Sequence, residues 1–268
     1  MTRQIFLCLG LSTSLLPAGE LPQLAEKPWL GQYAGYEKRS IRLIVNRKGE
    51  MLLMPPNEKK GFVSEFSAIK MVPLIEEVSP DGRVVAKTAI ADGWEAVTPA
   101  AVNPGKVSFK GTVEKGAKFE VSLEIAGDEI RGGGRVVEKG EYTKPLRFAM
   151  RIQFPNLYAK EKDAEKLAQK MEKDRVDLLR VDGKKLKLDL LTPLNAEADE
   201  YSGSGISQAR LEMAAYKAVK FDLNAGAAGF FELWNKGEGA LYEGFNLGWK
   251  HDEEKDPEGK GRFSLKLR

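Results

Sequence analysis

The chain has a single histidine, His251, and carboxylates crowd it at Asp252, Glu253, Glu254 and Asp256. A histidine beside carboxylates can act as a general base or as one ligand of a metal. A zinc site needs three or four ligands, commonly several histidines or cysteines, and those are missing. An oxygen-only calcium site stays open, but Asp252 to Glu258 lacks the ligand spacing of an EF-hand loop. The segment reads as a solvated turn. Ser67-Ala68-Ile69-Lys70 matches Ser-x-x-Lys, the pattern of a serine acylated beside a lysine. Its companion motifs are absent: Lys87-Thr88 continues with Ala89, and no Ser-Asp-Asn occurs. Ser202-Gly203-Ser204-Gly205 lacks the Gly-x-Ser-x-Gly order of a nucleophile elbow and reads as a loop. Gly132-Gly133-Gly134 is followed by neither a helix start nor Gly-Lys-Ser/Thr, so nothing there would cradle a phosphate.

Carboxylates are abundant, and a glycosidase pair is defined by a spatial separation that spacing along the chain does not supply. The remaining lead is aromatic. Trp94, Trp234, Tyr242 and Trp249 lie in or beside expected strands and turns and are the candidate binding residues. Aromatic side chains on a concave sheet can hold an apolar ligand or stack on sugar rings. The competing expectation is that tryptophans fill the core. No catalytic residue, metal ligand or cofactor motif emerges.

The elements that would position these residues are mostly strands. Ile41, Leu43 and Val45 alternate, a turn follows at Asn46 to Gly49, and Met51 and Leu53 resume the period of two. Val107, Phe109, Gly111 and Val113 run into a turn at Glu114 to Gly116. Phe119, Val121, Leu123 and Ile125 return, and Gly127-Asp128 leads into Ile130. Phe148, Met150, Ile152 and Phe154 share a face of a further strand. Asn156 is the expected cap of an amphipathic helix with Ala164, Leu167, Ala168 and Met171 on its apolar stripe. Asp182-Gly183 then reads as a hairpin turn between Leu179–Val181 and Leu186–Leu190, preferred over a helix that continues to Val181 and ends at Gly183. Strands resume over 218–223, 229–234, 244–249 and 262–267. The expected fold is therefore mostly β, an antiparallel meander barrel or sandwich(es), with one amphipathic helix between two β regions.

Trp29-x-Gly31-x-Tyr33, ahead of these hairpins, resembles the opening of lipocalin-like barrels. The Gly-x-Trp order and the two cysteines common there are missing, so no functional residue is carried across.

At the N-terminus, Arg3 precedes an uncharged, mostly apolar run over 5–16, closed by Pro17, Ala18 and Gly19. These are the parts of a secretory signal peptide, and the run is too short to span a membrane. The expected organisation is a signal over 1–18, a lead-in over 19–28, a first β region over 29–155, a helical connector over 156–178, and a second β region over 179–268. The two β regions can form one domain. The only cysteine, Cys8, leaves with the signal, which removes disulfides, thiolate metal sites and a cysteine nucleophile. A formal charge of +3 with both signs interspersed gives no basic face for nucleic acid. Thirty per cent charged residues and a mean hydropathy of −0.36 argue against an outer-membrane barrel. The sequence thus points to an exported protein, periplasmic or extracellular and of bacterial type. Its expected role is non-catalytic, binding a small ligand, a glycan or an envelope partner without a cofactor. The alternatives are a carboxylate-dependent envelope hydrolase and a structural subunit of an assembly.

Overall fold

The computed structural model describes residues 19–38, 40–89, 92–191, 205–216, 219–234, 244–252 and 254–268. The expected export signal with Cys8, the serine of Ser202-Gly203-Ser204, and Tyr242 lie outside the described residues.

In chain order the strands are β1 (Gln32–Lys38), β2 (Ile41–Asn46), β3 (Met51–Met54), β4 (Ile69–Val78), β5 (Val84–Ala89), β6 (Asp92–Ala96), β7 (Ala101–Val102), β8 (Lys106–Thr112), β9 (Lys118–Ala126), β10 (Glu129–Glu138) and β11 (Leu146–Phe154). Helix α1 (Ala164–Met171) follows. Then come β12 (Arg175–Arg180), β13 (Lys185–Asp189), β14 (Ile206–Glu212), β15 (Lys220–Asn224), β16 (Gly229–Trp234), β17 (Phe245–His251) and β18 (Phe263–Leu267). The chain is mostly β, as the alternation requires, and forms one strongly curled sheet, a half-barrel.

Two arms make up the curl. One runs β7–β1–β2–β3–β4–β11–β17–β16, with β5 sharing with β3 one edge of β4. The other runs β6–β8–β9–β10–β18–β15–β14–β12–β13. They meet where Ile206 of β14 faces Phe231 of β16. Neighbouring hairpins follow the meander, but β11 pairs with β4 and β17, and β10 with β18. A lipocalin-like closed meander is not what these long-range pairings build.

The period-two faces set the packing. Leu146, Phe148, Met150, Ile152 and Phe154 of β11 are all buried on one side, and rings from the two arms meet across the core. Phe148 contacts Phe119 of β9, Phe154 contacts Phe221 of β15, and Trp249 of β17 contacts Phe263 of β18. Such ring pairs contribute about 0.5–1.5 kcal/mol each beyond the area they bury.

The helix is shorter than the sequence suggests. Its cap is Asp163, which accepts from the Glu165 and Lys166 N–H groups. Asn156 instead accepts from the Tyr158 N–H in the preceding turn. The reason is burial: only Leu167 and Met171 of the helix reach the core, so nothing stabilises a helix through charged residues 160–162. Within 156–178, residues 175–178 already belong to β12. The chain leaving the helix is fastened by Asp174, which accepts from the Tyr158 hydroxyl at 2.9 Å and the Ala214 N–H at 2.7 Å.

The three-glycine run is a packing device. A Cβ at Gly134 would lie 2.4 Å from the Glu120 carbonyl oxygen and 2.5 Å from the Phe148 ring. At Gly132 it would lie 2.5 Å from the Phe263 ring. Gly134→Ala should therefore cost about 1–3 kcal/mol through overpacking. Gly105→Ala, whose Cβ would meet nothing within 4 Å, should stay within about 0.5 kcal/mol of wild type. Urea denaturation of the two variants checks the contrast.

Candidate functional site

Four adjacent strands, β4, β11, β17 and β16, carry a second face opposite the core. Their registers stack residues in rows. Glu76 faces Arg147, and on its other side Lys87 of β5. The next row is Leu74, Ala149, Lys250 and Phe230. After it come Val72, Arg151, Gly248 and Glu232, and then Lys70, Gln153, Asn246 and Trp234. Ala149 and Gly248 put small residues in the centre, with charged and aromatic side chains around them.

Every residue of β17 is buried, so Lys250 carries an ammonium where only 3% of its side chain is exposed. It is held by two carboxylates, Glu232 Oε2 at 2.5 Å and Glu76 Oε2 at 3.3 Å. Glu76, itself 2% exposed, also accepts from Arg147 Nη2 at 2.8 Å and Nε at 3.2 Å. Lys87 Nζ stands 3.7 Å from its other oxygen. Burial pushes the Lys250 ammonium below its usual range, against the pull of Glu76 and Glu232.

The aromatic residues border this cluster. Lys87 Nζ lies 5.3 Å from the centre of the Trp234 ring, and the Arg147 guanidinium 5.8 Å from that of Phe230. A Cβ at Gly248 would lie 3.2 Å from the Trp234 indole, so the ring lies against the position the glycine leaves open. Glu232 is the cluster's more open carboxylate, with 21% of its side chain exposed against 2% for Glu76. The arrangement can bind a flat face on Trp234 and exchange protons at Glu232.

The sequence-derived candidates do not converge. Trp234 is on this face. Trp249 is on the opposite side of the sheet, fully buried, with its Nε1–H donating to the Ala225 carbonyl at 2.9 Å. Trp94, on β6 of the other arm, packs edge-on against Phe109 and Phe119. His251 is not in a solvated turn. It ends β17, 2% exposed, with Nε2 3.1 Å from Asp256 Oδ2. Burial opposes charge on Asp256, yet the Gly261 N–H, His251 and the Lys260 N–H hold its carboxyl below the usual range. Among the described residues no group of three or more His, Asp or Glu could hold a metal ion. No described helix is long and apolar enough to cross a membrane. Sequence reasoning missed Glu76, Arg147, Glu232 and Lys250. The available signal was a charge in the middle of an otherwise apolar strand, as in Gly248-Trp249-Lys250-His251.

In shape the chain is similar to several solved structures. One is a galactose mutarotase related enzyme from Lactobacillus acidophilus, 11% identical, covering 87% of this chain and 96% of that one with a TM-score of 0.47. A second is a protein provisionally assigned as an aldose 1-epimerase from Escherichia coli K12, 14% identical, covering 88% and 98% with a TM-score of 0.45. A third is an aldose epimerase homologue from C. elegans, 10% identical, covering 94% and 99% with a TM-score of 0.44. No protein-family model and no curated protein matches the chain. The expected non-catalytic binding role is corrected by these neighbours, which bear the names of enzymes and enzyme relatives. That expectation and its hydrolase and structural-subunit alternatives are set aside.

Replacing Lys250 by Met should cost about 2 kcal/mol at neutral pH, because it removes the ammonium that faces Glu232 Oε2 and Glu76 Oε2 and leaves Arg147 as the closest cation on the buried Glu76. Lys118→Met, which breaks an exposed pair with Glu138, should cost less than about 1 kcal/mol. Lys250 also has a pH signature. With its native-state value lowered, the unfolded chain holds the proton over an alkaline range where the native protein has shed it. Its contribution to stability therefore rises with pH through that range, up to the ordinary lysine value. The gap between wild type and Lys250→Met should widen on alkalinisation, measured by urea denaturation at a series of pH values. Parallel profiles would contradict this assignment.

Proposed function

We propose that the protein is a proton-transfer enzyme acting on a sugar ring at the Trp234 face. One observation carries the reading: a buried, reduced-basicity Lys250 held 2.5 Å from the half-open Glu232 carboxylate, two residues along β16 from an aromatic platform. The indole would take the C–H face of the sugar, and Asn246 and Gln153 in the same row supply amides for hydroxyl groups. Glu232 is the proposed base. Lys250 beneath it is a positioning residue that orients the carboxylate. Lys87, on the Trp234 ring, is the proposed acid.

In ring opening, Glu232 takes the proton of the anomeric hydroxyl, the electron pair forms the C1 carbonyl, and the C1–ring oxygen bond breaks. The ring oxygen takes a proton from the Lys87 ammonium. Closure on the other face of the carbonyl returns both protons, so the cycle needs no oxidant or reductant.

Aldose anomer exchange, followed by NMR saturation transfer on a panel of free sugars, is the assay to run first. Glu232→Gln should lower kcat about a hundredfold or more, while Trp234→Ala should act mainly on KM. Exchange at the uncatalysed rate with every sugar, or a Glu232→Gln variant as active as wild type, would overturn the proposal.

A further inference from the structure

We propose a second binding site, for a small oxyanion such as a phosphate or carboxylate group, on the outer face of β9 and β10 beneath the loop 257–262. It shares no residue with the Trp234 face. Its shape comes from Gly133, which pairs with Ser122 across the two strands. A Cβ at Gly133 would lie 2.7 Å from the Gly261 carbonyl oxygen and 2.9 Å from Arg262 Cδ, so the loop settles directly onto the bare backbone. Between loop and strands is a hollow of about 600 Å³ lined by Glu120, Ser122, Arg135 and Arg262, among others.

Three features of the hollow point to an anion. Ser122 lines it and is only 4% exposed, yet its hydroxyl has no hydrogen-bond partner. A buried hydroxyl without a partner costs about 1–3 kcal/mol, which a ligand oxygen would recover. Arg262 is the second. Its Nη1 donates to the Gly259 carbonyl at 2.9 Å and the Gly261 carbonyl at 2.6 Å, which fixes the guanidinium without neutralising it. It forms no ion pair with a carboxylate among the described residues. Charge balance is the third. Arg135 is set against Glu120 at 3.7 Å, and Lys260 pairs with Glu258, so the Arg262 charge is left over. Arg135 also reaches the loop, with Nη1 3.4 Å from the Glu258 carbonyl oxygen.

Two guanidiniums anchored on one loop and a hydroxyl lacking a partner match the donor needs of a phosphate or carboxylate, which accept forked hydrogen bonds from arginine. One surplus positive charge suits a monoanion.

The test is calorimetric titration of the full chain with inorganic phosphate and, separately, with acetate at neutral pH. Saturable binding is expected, weakened about tenfold by Arg262→Gln and about fivefold by Ser122→Ala, each corresponding to the loss of one hydrogen bond or charge contact. Tighter phosphate than acetate binding would identify a phosphate-bearing ligand, and the reverse order a carboxylate; both support the site. Thermal unfolding confirms that each variant is folded. If Arg262→Gln is not, Ser122→Ala decides alone, because it removes one oxygen and no packing. Absence of saturable binding to wild type at tens of millimolar would overturn the proposal. So would affinity unchanged in the folded variants. Neither outcome bears on sugar exchange at Glu232, which is read in a separate assay.

Discussion

Burial of β17 on both faces is the constraint around which the molecule is arranged. One face, with Phe245, Leu247 and Trp249, is part of the core between the arms. The other carries Asn246, Gly248 and Lys250. An ammonium in such a place is tolerated only when opposite charge and hydrogen bonds replace water. The partners must come from other strands, because strand neighbours of Lys250 point to the opposite side. Glu232 from β16 and Glu76 from β4 meet that demand, and Arg147 from β11 balances Glu76. The registers of four strands are thus tied to one charge, and a one-residue slip of any of them would turn its member of the cluster into the core.

The same constraint explains how the site differs from an ordinary salt-bridged surface. Exposed pairs such as Lys118 with Glu138 gain little, since water competes for both ions. Around Lys250 the dielectric response is weaker, so the proton is loosely held and the neighbouring carboxylate is oriented from below. Trp234 and Phe230 complete the seclusion from the sides. The chemistry proposed for this face depends on that seclusion as well as on the Glu232 carboxylate.

Much of the fold was legible because alternation survives wherever one face is wet. Val107–Val113 and Phe119–Ile125 read as a hairpin, and Phe109 does face Val121 in the β8–β9 register. The Asp182-Gly183 turn was likewise visible, and it joins β12 to β13. Legibility ended where both faces are buried. In β4 the run Ile69–Val78 mixes Lys70, Pro73 and Glu76 among apolar residues, so its period is blurred. The site was hidden for a different reason. Glu76, Arg147 and the Glu232–Lys250 pair lie far apart in the chain, and the pairing of β11 with both β4 and β17, together with that of β16 with β17, brings them together. His251 misled because its acidic neighbours in sequence suggest water, while its place at the end of a core strand removes it.

The position of β18 has a consequence for how the chain is made. That strand lies between β10 and β15, so the second arm has a vacancy at its centre until residues 263–267 have been synthesised. Before then the edges of β10 and β15 present open rows of amide and carbonyl groups, the kind that recruit other chains. Vectorial, domain-by-domain maturation from the N-terminus is therefore closed to this fold. A nascent chain would need its edges shielded, by a chaperone or by speed, until the last strand closes the gap.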